Sequence, residues 1–312
     1  LSEQQVAVEA SIGAALFPED GQGFSELVEN ARSAMQQAKT VAGGKFIRYS
    51  ERLHFDVAGS NSLAAELRNA VRKNQFELHY QPRIDLSTGQ LVGLEALLRW
   101  NHPERGLVFP GEFLSTCEDM GLMKTIGYQV IQHACSALIW LEQEGMNRVD
   151  VAVNISFSQI QDSRFLEIVK DIVMRSGADA SRLEFELTES TILKNPSTIK
   201  ARMNELRLLG ISFSLDDFGT GFSQLSHLTE LPISALKIDA CFVRELPGNT
   251  HQEAVCTMII EMAQRLGMLV VAEGAETYEQ IAFLREQNCE QVQGFYYSPA
   301  IPLQQLPRFV QE

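Results

Sequence analysis

A chain of 312 residues with 45% hydrophobic and 21% charged side chains can bury a large core, which excludes intrinsic disorder as the default state. Its net charge of −14 argues against a surface that tracks the phosphates of polymeric nucleic acid, while leaving room for a small phosphodiester held through metal ions. No run approaches the roughly 18 apolar residues of a membrane span, so no membrane contact is expected from this stretch. Five scattered cysteines without a CxxC pair read as thiols of a reducing compartment.

In chain order, VAVEASIGAALF (6–17) alternates as a strand, PEDGQG turns, and FSELVENARSAMQQAK carries helical spacing. Gly43 and Gly44 then precede a short strand, KFIRY. Residues 1–48 are too few for an independent core. The chain opens on Leu1 and not on Met, which sets the expectation of a cytoplasmic region preceded by a sensor or membrane anchor. A polar stretch over 51–62 leads into a predicted helix at 63–73.

From Phe76 onward eight strand-like runs recur: FELHYQPR, LVGLEALLRW, VDVAVNIS, LEFELTES, ISFSLDD, ISALKID, MLVVAEG and VQGFYY. Amphipathic stripes separate them, such as Ile126, Val130, Ile131, Ala134, Leu138 and Leu141, or Ile259, Met262, Ala263 and Leu266. This alternation predicts a TIM-type (β/α)8 barrel in the α/β class. Only DLSTGQ joins the first two runs, too short for a helical crossover, so the first strand is expected to be antiparallel.

Nearly every run ends in an ionisable or metal-capable residue: Glu95, Asn154, Glu186, the pair Asp216 and Asp217, Lys237 with Asp239, and Glu273. In a barrel those ends form one mouth, where catalytic groups gather. Strand parity puts Ala152, Asn154 and Ser156 on one face, Glu184 with Glu186, and Lys237 with Asp239. Asp216 and Asp217 cannot both point inward from a regular strand, so the strand is expected to end or bend between them. Gly219, Thr220 and Gly221 follow as a mobile loop able to approach a ligand. Two carboxylates about 4 Å apart repel by about 4 kcal/mol at an effective dielectric of about 20, so the converging acids call for cations. Oxygen ligands and one amide suit Mg²⁺ or Mn²⁺, and Lys237 would orient a water or a phosphoryl oxygen, which points to phosphodiester hydrolysis. Taken singly, each group has a plainer reading as a cap, a rim ion pair or a solvated charge; Glu189 and Glu276 suit the first turns of helices.

At these residues the sequence resembles the EAL-domain phosphodiesterases: Glu95, Ala96 and Leu97 within LEALLRW, then NHPERGLVFPGEFL, NIS, ELTES, DDFGTGFS, LKID, AEGAET and QGF, in order. The resemblance implies hydrolysis of cyclic di-GMP to linear pGpG with two Mg²⁺ or Mn²⁺ ions. It implies Glu95, Asn154, Glu186 and Asp216 as ligands of one ion and Asp216 and Asp217 as ligands of the other. By the same likeness Lys237 holds the nucleophilic water, Glu273 acts on that water or its metal, Glu276 anchors the mobile loop, and Gln81, Arg99, Asp239 and Gln293 take substrate and supporting positions. It also implies a homodimer through the barrel.

Departures from the family pattern are Ala275 for Val, Asn288 where Gly is frequent, and Arg83 where an apolar residue is common, the last expected to alter substrate contacts at the mouth. SIGAALFPEDG and ARSAMQQAK resemble the end of a GGDEF diguanylate cyclase domain whose signature is absent, so no cyclase activity is expected. The expected organisation is a GGDEF remnant over 1–48, a linker and helix start over 49–65, and an EAL barrel over 66–312. Two other readings stand beside hydrolysis: a receptor that binds cyclic di-GMP without turnover, and a Mg²⁺-dependent barrel lyase, which would need a base Lys or His opposite its metal.

Overall fold

The computed structural model describes residues 12–21, 23–40, 46–49, 63–219 and 230–307. It divides into two compact units, Leu1–Asn69 with Ser115–Met120, and Ala70–Leu114 with Gly121–Glu312.

In the first unit, β1 (Ile12–Ala14) pairs in parallel with β2 (Phe46–Arg48), and a helix, Phe24–Thr40, runs between them. Ala34 and Tyr49 form a small buried cluster with Ala15 packed against it. Arg48 closes the turn after β1 by binding Glu19 and Asp20. The strand predicted over 6–17 is represented by Ile12–Ala14; its residues 6–11 lie outside the described residues, as do Gly43, Gly44 and the stretch 51–62. Helical backbone covers 63–72.

The second unit is a closed barrel. Its strands are β3 (Phe76–Asp85), β4 (Leu91–His102), β6 (Asp150–Asn154), β7 (Leu183–Thr188), β8 (Ser212–Phe218), β9 (Ala235–Ile238), β10 (Leu269–Glu273) and β11 (Gln291–Gln293). The order β3-β11-β10-β9-β8-β7-β6-β4 closes through β3 and β4, and the eight expected runs each supply one strand. All neighbours are parallel except that β3 is antiparallel to both β4 and β11. The hairpin into β4 is held by Asp85, whose Oδ1 accepts from the N–H groups of Ser87 and Thr88 at 3.0 and 2.8 Å. A three-residue strand that sequence periodicity missed, β5 (Gly106–Val108), folds back on β4.

The outward face of each strand is apolar because helices cover it. Val151 and Val153, Leu183, Phe185 and Leu187, Phe213 and Leu215, and Leu236 and Ile238 are all buried. The stripe from Ile126 to Leu141 on the helix Met123–Gln143 is buried as its spacing predicts. Phe165, Phe185 and Phe213 form a chain of ring contacts, with centroids 6.2 and 6.0 Å apart, that ties the helix Phe165–Ser176 to β7 and β8. Two expectations need correction. Leu266 caps the helix Thr250–Arg265 and is exposed, and of the run VQGFYY only Val292 and Gln293 are strand, within Gln291–Gln293. After Gly294 the chain turns, with Tyr297 N–H donating to the Gly294 carbonyl. No helix among the described residues is long and apolar enough to cross a membrane.

Candidate active site

The barrel's parallel strands all end at one mouth, and their stagger decides which side chains meet there. Gln81 stands opposite Glu95, Asn154 opposite Glu186, and Glu273 opposite Gln293. Alternation turns these residues inward, into a space that strand-to-strand hydrogen bonding has already drawn together.

Lys237 is the centre of the cluster and is 1% exposed. Its Nζ lies 2.7 Å from Glu273, 2.8 Å from Glu186, 3.3 Å from Asp216 and 3.4 Å from Glu95. Burial alone would push this lysine down, but Glu186, Glu273, Glu95 and Asp216 outweigh it, so the ammonium is held well above its usual range. One positive charge serves four carboxylates. Burial and the neighbouring acids Glu95, Asp216 and Glu184 therefore drive Glu186 well up, against the pull of Lys237, and Glu273 is pushed up to about 8 by burial and by Glu95 and Asp216. Glu95 goes the other way. Burial would raise it, but Lys237 and hydrogen bonds from Gln293, Asn154 and Glu186 keep it low.

Asn154 donates to Glu95 at 2.9 Å, and Gln293 donates both to Glu95 and, at 3.1 Å, to Gln81, whose own amide donates to the Ser298 carbonyl. Arg99 donates to the Leu98 carbonyl and lies over the exposed Phe109 ring at 4.9 Å. Burial holds its guanidinium below the usual range.

β8 bends where two consecutive acids demand it. The β8–β9 register slips between Leu215 and Phe218, and Asp217 takes a left-handed backbone with φ of 56°. Its N–H donates to Asp216 Oδ1 at 3.0 Å, so Asp216 enters the Lys237 cluster while Asp217 turns toward Asp239. Burial, with Asp216 and Asp239 beside it, pushes Asp217 up to about 6. Asp239 itself caps the helix Ala240–Val243 by accepting from the Cys241 N–H. Gly219 follows with φ of 95°, and a side chain there would strike Phe242.

Thr220 and Gly221 lie outside the described residues. Glu276 is exposed, and its N–H donates to Gln280; the loop it was expected to anchor is not described. Glu189 opens the helix Glu189–Lys194, capped by Thr188. Asn288 has φ of 59°, a backbone that glycine adopts freely and asparagine tolerates, which accounts for the residue type at this departure.

Arg83 is not at the mouth. Because β3 runs antiparallel, moving two residues past Gln81 goes down into the barrel, and Arg83 is 3% exposed there. Both its Nη atoms donate to the two carboxylate oxygens of Glu184 at 2.9 Å. Sequence reasoning missed this pair; the one available signal was the parity that placed Glu184 on the inward face with Glu186.

These residues suit a hard divalent cation. Glu186 Oε1 is buried and receives no donor from the protein, so a proton of its own shared with Glu95, a water or a cation would satisfy it. Among the described residues no three His, Cys, Asp or Glu are disposed to close on an ion as they stand. The candidate set, however, counts the amide of Asn154, and Lys237 draws the carboxylates onto itself.

The EAL domain pattern matches residues 64–300. The chain belongs to the EAL-domain family. It is 38% identical over 99% of its length to the cyclic di-GMP phosphodiesterase NbdA of Pseudomonas aeruginosa, of which it covers 40%. It is 34% identical over 96% of its length to the cyclic di-GMP phosphodiesterase PdeR of Escherichia coli, covering 45%. The chain thus spans less than half the length of these curated relatives. Among solved structures, the PaMucR phosphodiesterase in its c-di-GMP complex superposes with a TM-score of 0.76 at 37% identity, covering 78% of this chain and 99% of that one. The FimX EAL domain of Pseudomonas aeruginosa, at 23% identity and a TM-score of 0.71, shares the fold.

Proposed function

We propose that this chain hydrolyses cyclic di-GMP to linear pGpG with the help of two divalent ions, Mg²⁺ or Mn²⁺. The observation that carries this reading is the excess of acid over base at the barrel mouth: four carboxylates around the single ammonium of Lys237. Glu95, Asn154, Glu186 and Asp216 would hold one ion, and Asp216 and Asp217 the other. Such ions supply Lewis-acid charge against the phosphodiester and lower the pKa of bound water.

The chain's own groups do the rest. Lys237 orients the attacking water, whose oxygen bonds to phosphorus as the bond to the ribose 3′ oxygen breaks, and the released proton is passed to that leaving oxygen. Glu273 sits 2.7 Å from Lys237, and burial with Glu95 and Asp216 nearby raises its affinity for a proton, which suits a group that manages the proton. Gln81, Arg99, Asp239 and Gln293 surround the cluster as substrate and supporting groups, with Glu276 anchoring the loop that contains Gly219, Thr220 and Gly221.

We assign residues 1–48 as the end of a GGDEF domain, 49–65 as linker and helix start, and 66–312 as the barrel, a reading supported by the EAL match over 64–300. A cytoplasmic setting is supported by five free cysteines, and a homodimer through the barrel by family likeness.

The test is release of pGpG from cyclic di-GMP with Mg²⁺, followed by chromatography with and without chelator. Metal-dependent release is expected. Tight binding of cyclic di-GMP without release would make the chain a receptor and overturn the reading.

A further inference from the structure

The Arg83–Glu184 pair belongs to neither the metal-ligand set nor the apolar core. Arg83 is on β3 and Glu184 on β7, and the sheet path between those strands runs through β4 and β6. No backbone hydrogen bond links β3 to β7, so the two parallel contacts of 2.9 Å cross the barrel interior as a direct tie. A guanidinium fork fixes orientation as well as distance, which an ammonium does not.

Each end of the tie lies two residues from a mouth group on the same face: Gln81 beyond Arg83, and Glu186 beyond Glu184. Gln81 reaches Glu95 through Gln293. Space for the tie is also provided. A side chain at Gly93 would place its Cβ 2.6 Å from both Nε and Nη2 of Arg83. Arg83 therefore has a matching acid across the barrel and a matching gap at Gly93.

We infer that Arg83 and Glu184 are positioning residues, a cross-barrel brace that sets the separation between the Gln81–Gln293–Glu95 side of the mouth and Glu186. The inference rests on the reaction proposed above. Its test compares the full 312-residue chain with the double variant Arg83→Met/Glu184→Met and with Arg83→Lys. The double variant removes both charges together and leaves neither stranded.

Turnover of cyclic di-GMP is measured alongside calorimetric binding of Mg²⁺ alone. The double variant is expected to lose about 10- to 100-fold in kcat and about 10-fold in Mg²⁺ affinity, the range seen when groups behind metal ligands are removed, with KM within about threefold. Partial unfolding would reduce the number of Mg²⁺ sites and leave the affinity per site unchanged. Arg83→Lys, which keeps the charge and loses the fork, is expected to fall between the parent and the double variant in both readouts. Parental kcat and Mg²⁺ affinity in a folded double variant would overturn the brace. Should that variant not fold, parental values in Arg83→Lys would overturn it equally. If the parent itself releases no pGpG, the proposed reaction fails, and the brace is decided by Mg²⁺ affinity alone.

Discussion

Glu184 and Glu186 sit two residues apart on one strand, face the same barrel interior and are both almost wholly buried, yet their charges fare differently. Burial would raise Glu184, but Arg83 answers it with a full, bidentate positive charge, and the carboxyl is held low. Glu186 shares one ammonium with three other acids and is driven well up. Burial is common to both, so the difference comes from how much counter-charge each receives. The barrel floor is electrostatically closed. The mouth is left acidic, and that surplus is what a divalent cation would bind.

The largest effect is expected from removing a mouth carboxylate. Glu95→Ala should lower kcat/KM for cyclic di-GMP by about 10²- to 10³-fold, the scale of losing one group that supports charge stabilisation in the transition state, here by holding an ion. The fold should persist, because the substitution thins a crowded acid cluster whose lysine keeps three partners. Circular dichroism and a melting curve beside the assay check both halves; retained turnover would remove Glu95 from the site.

Arg83→Met should show the opposite pattern in stability. It strands Glu184 as a buried, unpaired carboxylate, for which about 3–5 kcal/mol is the usual cost. Urea unfolding measures it. A loss under about 1 kcal/mol would mean that Glu184 finds another partner or a proton, and the contrast between floor and mouth would lapse.

Metal offers a third probe. At Mg²⁺ concentrations about 100 times its dissociation constant, binding to the folded state alone adds about 2.7 kcal/mol of stability. The melting temperature of the parent should rise with Mg²⁺ and return with chelator, while Glu95→Ala should respond much less. An equal rise in both would place the ion elsewhere.

Most of this architecture is legible in the sequence because barrel strands obey local rules. Alternation and helix spacing mark the eight strands, a six-residue link forces β3 antiparallel, and the consecutive acids at 216 and 217 require the bend found there. Period-two parity also puts Glu184 and Glu186 on one face. What parity does not carry is the partner across the barrel. Arg83 and Glu184 are 101 residues apart, and their meeting depends on barrel closure and on β3 running downward, so position along β3 was misread as height toward the mouth. β5 was missed because three residues cannot display a period.

The smallest predicted effect tests how far the floor's balance extends. Asp150 opens β6 at the end opposite the mouth, beside Gly93 in register. Burial pushes it up to about 6; Arg83 and Arg182 oppose this, while Glu184 and Asp179 add to it. Arg83 is already committed to Glu184, so its charge reaches Asp150 only as a remainder. The folded-state value lies above the unfolded one, so the folded chain keeps this proton where the unfolded chain has lost it. The resulting stability is full below the unfolded value near 3.8 and disappears as pH rises through about 6. At neutral pH Asp150 is thus a net burden. Asp150→Asn should stabilise by about 1–2 kcal/mol at about pH 7.5, after allowance for partial exposure, with the gain shrinking toward about pH 4. Urea titrations at the two pH values decide it. A gain that persists unchanged in acid would trace to packing, whereas a loss at neutral pH would mean that Arg83 and Arg182 hold the Asp150 carboxylate as firmly as Arg83 holds Glu184.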